Sequence, residues 1–253
     1  MNNRRPSSLF PQIFGVFAFL TAAALAMRMP NGGDVLPSAP AMTRSRDVPP
    51  REMLRAPVFW LLFAMMTMMS TGGLMIISQF AAFSRDFGVA NVLVFGLAAL
   101  PLALTVDRIT NGLTRPFFGW LSDQIGRENT MALAFLMEAA AVAIMVVFRN
   151  DALVFVVLSA VVFFGWGEIF SLFPSTLTDT FGTKFATTNY GFLYMAQGVG
   201  SVLGGPLAAL LHDATGSWLP VFGIIIAMDV LTGCLALIAL KPVRRRYLAV
   251  SPA

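Results

Sequence analysis

Residues 119–129 read GWLSDQIGREN, the densest run of polar and charged side chains in the apolar part of the chain. The run lies between two hydrophobic stretches, each long enough to cross a bilayer. Gly119 and Gly126 permit close approach and turning. Asp123 and Arg127 are spaced to pair with each other or with neighbouring helix ends. Together with Ser122 they make a polar connection between apolar spans, and the fold follows from how many such spans there are.

Outward from this run the chain is unusually apolar. Of its 253 residues 57% are hydrophobic and only 12% charged, against about 25% charged in soluble domains. The few charges are bunched between apolar segments, which is the pattern of an all-α integral membrane protein. A spanning helix needs about 20 mostly apolar residues. Seven segments qualify: 10–28, 57–80, 92–117, 130–148, 153–174, 190–211 and 218–240. Arg4 and Arg5 precede the first as they would in a signal peptide. Its apolar region is longer than a signal core, however, and no small-x-small cleavage site follows, so it reads as a membrane helix. Residues 29–55, rich in Pro, Gly, Ser and Arg, read as a flexible linker. The other connections are short, so several spans pack as antiparallel neighbours.

Several function classes are excluded early. One histidine and one cysteine, His212 and Cys234, cannot supply a multi-ligand metal site or a disulfide within the chain. There is no nucleophile–base pair, metal cluster or phosphate loop, so neither an enzyme nor a bound cofactor is expected. The basic excess is not a nucleic-acid surface, because the arginines flank apolar segments. If the helices alternate in direction, ten Lys and Arg fall on the linker side and four on the other. That asymmetry places the linker and the C-terminus in the cytoplasm of a multi-pass protein of the cell inner membrane.

The pattern G-x-L-S-D-x-x-G-R, made by Gly119, Leu121, Ser122, Asp123, Gly126 and Arg127, resembles the cytoplasmic loop motif of the major facilitator superfamily. In that superfamily two six-helix halves surround a central path, and the motif recurs in each half. Here it occurs once. The resemblance implies that 57–240 is the C-terminal half and 1–28 carries the last helix of the other half. Residues 29–56 would then be the connection between halves and 241–253 a basic cytoplasmic tail. On this reading the chain is truncated or partial, and its partners are the lipid bilayer and an N-terminal half in the same or a separate chain. The motif becomes a charged gate that holds one state of a rocking transporter and releases in the other.

Three stretches resemble the oxalate:formate antiporter family: LRAPVFWLLFAMMTMMSTGGLMIISQFAAFSRDFGV (54–89), NGLTRPFFGWLSDQIGR (111–127) and WGEIFSLFPSTLTDTFGTKFATTNYGFLYMAQG (166–198). The resemblance implies exchange of small carboxylate anions by alternating access. A carboxylate crossing hydrocarbon needs a fixed cation, and arginine offers a planar fork that stays protonated. Arg108, Asn111 and Arg115 follow i, i+3, i+7 spacing and share one helical face. The resemblance places the substrate-binding arginine at Arg115. The residues alone also allow Arg115 to cap the helix beside Pro116 and reach to the interface, and allow Arg108 to pair with Asp107.

Where the family commonly has lysine in Y-x-x-A-K-G, this chain has Gln197, after Tyr194 and before Gly198. Gln197 can hydrogen-bond a substrate but cannot neutralise it, which favours a monocarboxylate or a less charged substrate over oxalate unless Arg108 or the other half supplies a second cation. Alternatively it bonds between helices among Gly191, Gly198, Gly200 and Gly204. The resemblance puts Trp166 and Phe170 among cavity-lining aromatics, although simple packing explains them equally. Tyr190 and Tyr194 share a face and can donate to a carboxylate, and Tyr190 can equally serve as an interface anchor. The embedded acids Glu138, Glu168 and Asp229 suit either a proton relay or neutralisation of Arg108 and Arg115. Two other readings stay open: a proton-coupled monocarboxylate symporter, and an orphan half that carries nothing and serves as an assembly partner.

Overall fold

Ala56 holds an extended backbone and Pro57 follows in the first helical turn, where a missing N–H is harmless. From there the chain is helical for 30 residues. The structure, a computed structural model, describes residues 47–250. The helix expected at 10–28 and most of the expected linker lie outside the described residues. After a single turn, α1 (Pro50–Met53), come α2 (Pro57–Asp86), α3 (Ala99–Ile125), α4 (Arg127–Val147), α5 (Ala152–Trp166), α6 (Ile169–Phe181), α7 (Ala186–Thr215) and α8 (Leu219–Leu235). A π-helical segment, Ala236–Leu240, carries α8 into α9 (Lys241–Val250).

Five helical stretches among the described residues are long and apolar enough to cross a membrane: Pro57–Asp86, Arg127–Val147, Ala152–Phe181, Ala186–Thr215 and Leu219–Val250. The sixth long helix, α3, has the length but carries Asp107, Arg108, Arg115 and Asp123. Its charges need somewhere polar to point. Large apolar side chains such as Val202, Leu210 and Ile238 stand on the outside of the bundle, as a lipid-facing surface requires. The architecture is therefore the all-α membrane fold that the composition indicates.

The helices pair off: α2 on α7, α3 on α5, and α4 on both α5 and α8. Aromatic rings fill the junction of α2, α5 and α8. Phe80 and Phe155 have ring centroids 5.2 Å apart, and Phe83 and Phe222 5.1 Å apart. The α2–α7 contact is closer still. A Cβ placed on Gly200 would lie 2.7 Å from the Ser70 Cβ and 2.9 Å from the Thr71 nitrogen, and one on Gly204 3.0 Å from the Thr71 carbonyl oxygen. Gly200-x-x-x-Gly204 thus lets two backbones touch. Gly191 and Gly198, grouped with them on sequence grounds, face open space.

The structure departs from the expected spans in three places. Residues 93–98 are not helical: Leu93–Val94 (β1) and Leu97–Ala98 (β2) form a hairpin. Its two turn residues, Phe95 and Gly96, both have positive φ, which suits a tight two-residue hairpin. The span expected at 153–174 runs to Phe181 but is interrupted between α5 and α6. The last span does not end at residue 240. Pro242, lacking an N–H, follows the π-helical segment that absorbs the misfit, and the helix continues.

Candidate functional site

The interruption between α5 and α6 organises the middle of the bundle. At Gly167 and Glu168 the helical ladder tightens, with Glu168 N donating to the Gly165 carbonyl at 3.4 Å. The Phe164 carbonyl is instead satisfied by the Thr114 hydroxyl at 2.8 Å. The Asn111 amide reaches the Phe163 carbonyl at 3.4 Å. Thr114 of α3 therefore supplies a donor to a freed carbonyl of α5, as membrane helices with breaks require, and Asn111 adds a second donor to a carbonyl that Gly167 N already bonds at 3.1 Å. Asn111, expected on sequence grounds to meet substrate, has its amide nitrogen engaged here.

Just beyond the break, the Arg115 guanidinium carbon sits 5.3 Å from the Phe170 ring centroid, a cation–π distance. Phe170 lies 6.3 Å from Tyr194, and Tyr194 lies 5.6 Å from Tyr190. Arg115 pairs with no carboxylate among the described residues, so its N–H fork is open to a ligand. On the same face of α7, the Gln197 Oε1 is buried without a hydrogen-bond partner among the described residues. α3, α6 and α7 thus bring Arg115, Phe170, Tyr190 and Tyr194 together.

Arg108 and Asn111 belong to a second grouping. With Asp107, Trp166 and several apolar side chains they line a cavity of ≈ 140 Å³. Trp166 is nearly buried and donates its indole N–H to the Met69 carbonyl at 3.0 Å. Its ring meets Phe170 edge-on at 5.6 Å, so one aromatic pair separates the cavity from Arg115. The single face expected for Arg108, Asn111 and Arg115 serves two neighbouring places.

At the end carrying residues 119–129, the polar run is not a loop. α3 continues to Ile125, Gly126 turns the chain, and α4 starts at Arg127. Gly126 has φ 91 and ψ 153, a region essentially restricted to glycine. Gly119 lies within α3 with nothing within 4 Å of its Cβ position. Arg127 donates to Asp179 on α6 at 2.9 Å, pairs with Asp123 at 2.9 Å, and bonds the Ser122 hydroxyl. Asp179 is mostly buried, whereas the Asp123 side chain is 63% exposed. The stronger half of the latch is therefore Asp179, a partner that sequence spacing did not single out.

Three further contacts tie α9 to the same end. Arg244 pairs with Glu128 at 2.7 Å and donates from Nε to the Thr180 hydroxyl at 2.7 Å, and Lys241 donates to Asn129 at 2.9 Å. Val48 N donates to the Phe181 carbonyl, and Asn189 donates to the Val48 carbonyl. Removing Asp179 leaves a mostly buried guanidinium short of a partner. Asp179→Ala should lower stability by roughly 1–3 kcal/mol, and Asp123→Ala by about 0.5 kcal/mol or less. A double-mutant cycle with Arg127→Ala in thermal unfolding checks the assignment, because equal coupling for the two aspartates would contradict it.

Glu138, Glu168 and Asp229 are fully buried, and none of their carboxyl oxygens has a hydrogen-bond partner among the described residues. Both Asp229 and Glu168 act electrostatically on Glu138. No basic side chain pairs with them among the described residues, and they form no group placed to hold a metal ion.

Comparison with known proteins gives this geometry its family. The model of the Major Facilitator Superfamily matches residues 100–252. The chain is 34% identical over 167 residues to the oxalate:formate antiporter of Oxalobacter formigenes, covering 66% of this chain and 38% of that protein. It is 29% identical over 162 residues to the uncharacterized MFS-type transporter YhjX of Escherichia coli, covering 62% and 38%. It is also 27% identical over 170 residues to the putative transporter YdfJ of Escherichia coli, covering 64% and 39%. The chain thus spans under two fifths of the length of the curated relatives it matches. On the strength of the match over 100–252 and of the membrane fold it occupies, the chain belongs to the major facilitator superfamily.

Proposed function

We propose that this chain takes part in carrying small organic carboxylate anions across the inner membrane by alternating access, with the Arg127 latch and the C-terminus on the cytoplasmic side. The observation that carries the reading is Arg115. It is a permanent cation on a membrane helix, held on the face of Phe170 beside two tyrosines, with no carboxylate pairing it among the described residues. Such an arginine needs an anion, and a bidentate carboxylate fits its fork. The similarity to a protein named oxalate:formate antiporter supports the same substrate class and an exchange mechanism. The two-halves architecture of the superfamily makes an N-terminal half the working partner, and Arg127 with Asp179 the pair that would part when the cytoplasmic side opens.

Gln197 narrows the cargo. It stands where the family's lysine is expected, and its Oε1 lies buried beside the tyrosine face. One cation and one amide match a monocarboxylate better than a dianion. Counterflow of labelled formate, acetate, lactate and oxalate tests the reading in proteoliposomes, with the chain reconstituted beside an N-terminal half. Flux should rank monocarboxylates above oxalate, and an absence of carboxylate exchange would remove the proposal. Gln197→Lys should raise oxalate relative to formate by about tenfold. An unchanged order defeats the charge count.

A second reading, proton-coupled symport of monocarboxylates, is favoured by one observation. Glu138, Glu168 and Asp229 are buried together without a base. Carboxyls in such a place can hold and pass protons. Uptake driven by an imposed proton gradient without counter-substrate separates symport from exchange.

A further inference from the structure

The cavity beside α3 contains a group that carboxylate binding at Arg115 does not use. Asp107 is 5% exposed and lines the ≈ 140 Å³ space, and neither of its carboxyl oxygens accepts a hydrogen bond among the described residues. Ser159 lies close enough to act on Asp107 as a hydrogen-bonding neighbour, but its hydroxyl donates to the Val156 carbonyl at 3.0 Å. Arg108, the next residue, lines the same cavity and its charge acts on Asp107. The cavity therefore presents a guanidinium fork and a carboxyl that wants a donor, against walls of Phe80, Phe163 and Trp166, with the Asn111 amide nitrogen turned to the Phe163 carbonyl.

We propose that this cavity is a second ligand site, selective for a small monocarboxylate that carries a hydrogen-bond donor next to its acid group. Hydroxy acids and amino acids share that chemistry. The proposal rests on the carboxylate reading above and extends it from one anion position to two. Size sets the first limit, since a cavity near 150 Å³ takes a molecule of about six heavy atoms, as benzene shows. Charge sets the second. The ligand's carboxylate sits on Arg108, and its hydroxyl or ammonium donates to Asp107. In either protonation state Asp107 offers an acceptor oxygen, so a ligand with a methyl group there leaves a buried acceptor unpaired. A dicarboxylate brings a second acceptor toward the first and is disfavoured by like charge. The site is distinct from the Arg115 cluster, because seven residues of helix separate the two arginines by about 10 Å.

Glycolate and propionate have the same shape, with a hydroxyl in one replaced by a methyl in the other. Binding of each labelled acid to the purified chain in nanodiscs is measured to saturation. Glycolate should fill two sites per chain and propionate one. Asp107→Leu should reduce glycolate to one site and leave propionate unchanged. Exchanging an unpaired buried carboxyl for an apolar side chain of similar size does not threaten the fold. Arg115→Ala should leave one glycolate site and remove propionate. Glycine binding in place of glycolate would assign the donor to an ammonium rather than a hydroxyl.

The proposal falls if neither glycolate nor glycine fills more sites than propionate, as would be so if the cavity held only water, or if Asp107→Leu leaves the extra site filled. Propionate binding that survives Arg115→Ala would overturn the Arg115 reading instead. Failure of every acid to bind overturns both.

Discussion

Arg115→Ala should abolish acetate binding and carboxylate exchange together. Truncating one partner of a desolvated charge pair typically loses 2–5 kcal/mol, which is about thirtyfold to a few thousandfold in affinity. At this position the loss should fall in the upper part of that range. Among the described residues, no other guanidinium stacks on Phe170, and Gln197 cannot supply charge. Arg115→Lys provides the sharper comparison. Lysine keeps the cation but loses the planar fork and the stacking on Phe170, so binding should weaken by about tenfold or more without vanishing. Equal affinity for the lysine variant would mean that charge alone matters. Undiminished binding in Arg115→Ala would mean that the residue merely anchors its helix end.

Gly200→Val should produce the largest loss of stability of any single change considered. Its Cβ would fall 2.7 Å from the Ser70 Cβ and 2.9 Å from both the Ser70 carbonyl carbon and the Thr71 nitrogen. Two of those atoms are backbone, so no rotamer change relieves the clash, and α2 must move away from α7. Overpacking commonly costs 1–3 kcal/mol. Forcing apart two helices in backbone contact should reach about 3 kcal/mol, roughly 6–12 °C in Tm. Gly198→Val is the matched control on the same helix, where nothing lies within 4 Å of the Cβ position, and it should be near neutral. A thiol-reactive dye on Cys234, the chain's one cysteine, reports unfolding of both variants. Equal melting would show that the α2–α7 contact is looser than its glycines indicate.

Composition and hydropathy alone led to the membrane class and to the approximate position of every span within 47–250, because crossing a bilayer demands length and apolarity from the segment itself. Other features were set by neighbours. The break at Gly167 exists beside Thr114, which lies more than 50 positions earlier and caps the Phe164 carbonyl that it frees. Nothing in the apolar run 153–174 announces that. The hairpin at 93–98 was absorbed into a span because Leu93, Val94, Leu97 and Ala98 are as apolar as a helix would be. Asp179 went unnoticed as the latch partner because pairing across helices depends on where two ends meet, and spacing along one helix finds only Asp123.

The candidate site was legible in its parts but not in its partition. The i, i+3, i+7 pattern correctly put Arg108, Asn111 and Arg115 along one side of α3. A helical face is long, however, and seven residues along it reach two different neighbourhoods. Trp166 and Phe170, one turn apart across the break, divide those neighbourhoods. Periodicity tells which residues share a direction, whereas tertiary packing decides what each of them meets.

The donors that α3 lends to α5 have a mechanical consequence. Where a helix keeps its own ladder, bending stretches several backbone bonds at once. Around Gly167 the bonds of that ladder are already long, 3.4 Å at both Glu168 N and Phe170 N, and the Phe164 carbonyl is held by the Thr114 side chain, which can follow a tilt by rotating. Any pivoting of the Phe170 segment should therefore concentrate at this joint, directly beneath the ring on which Arg115 rests.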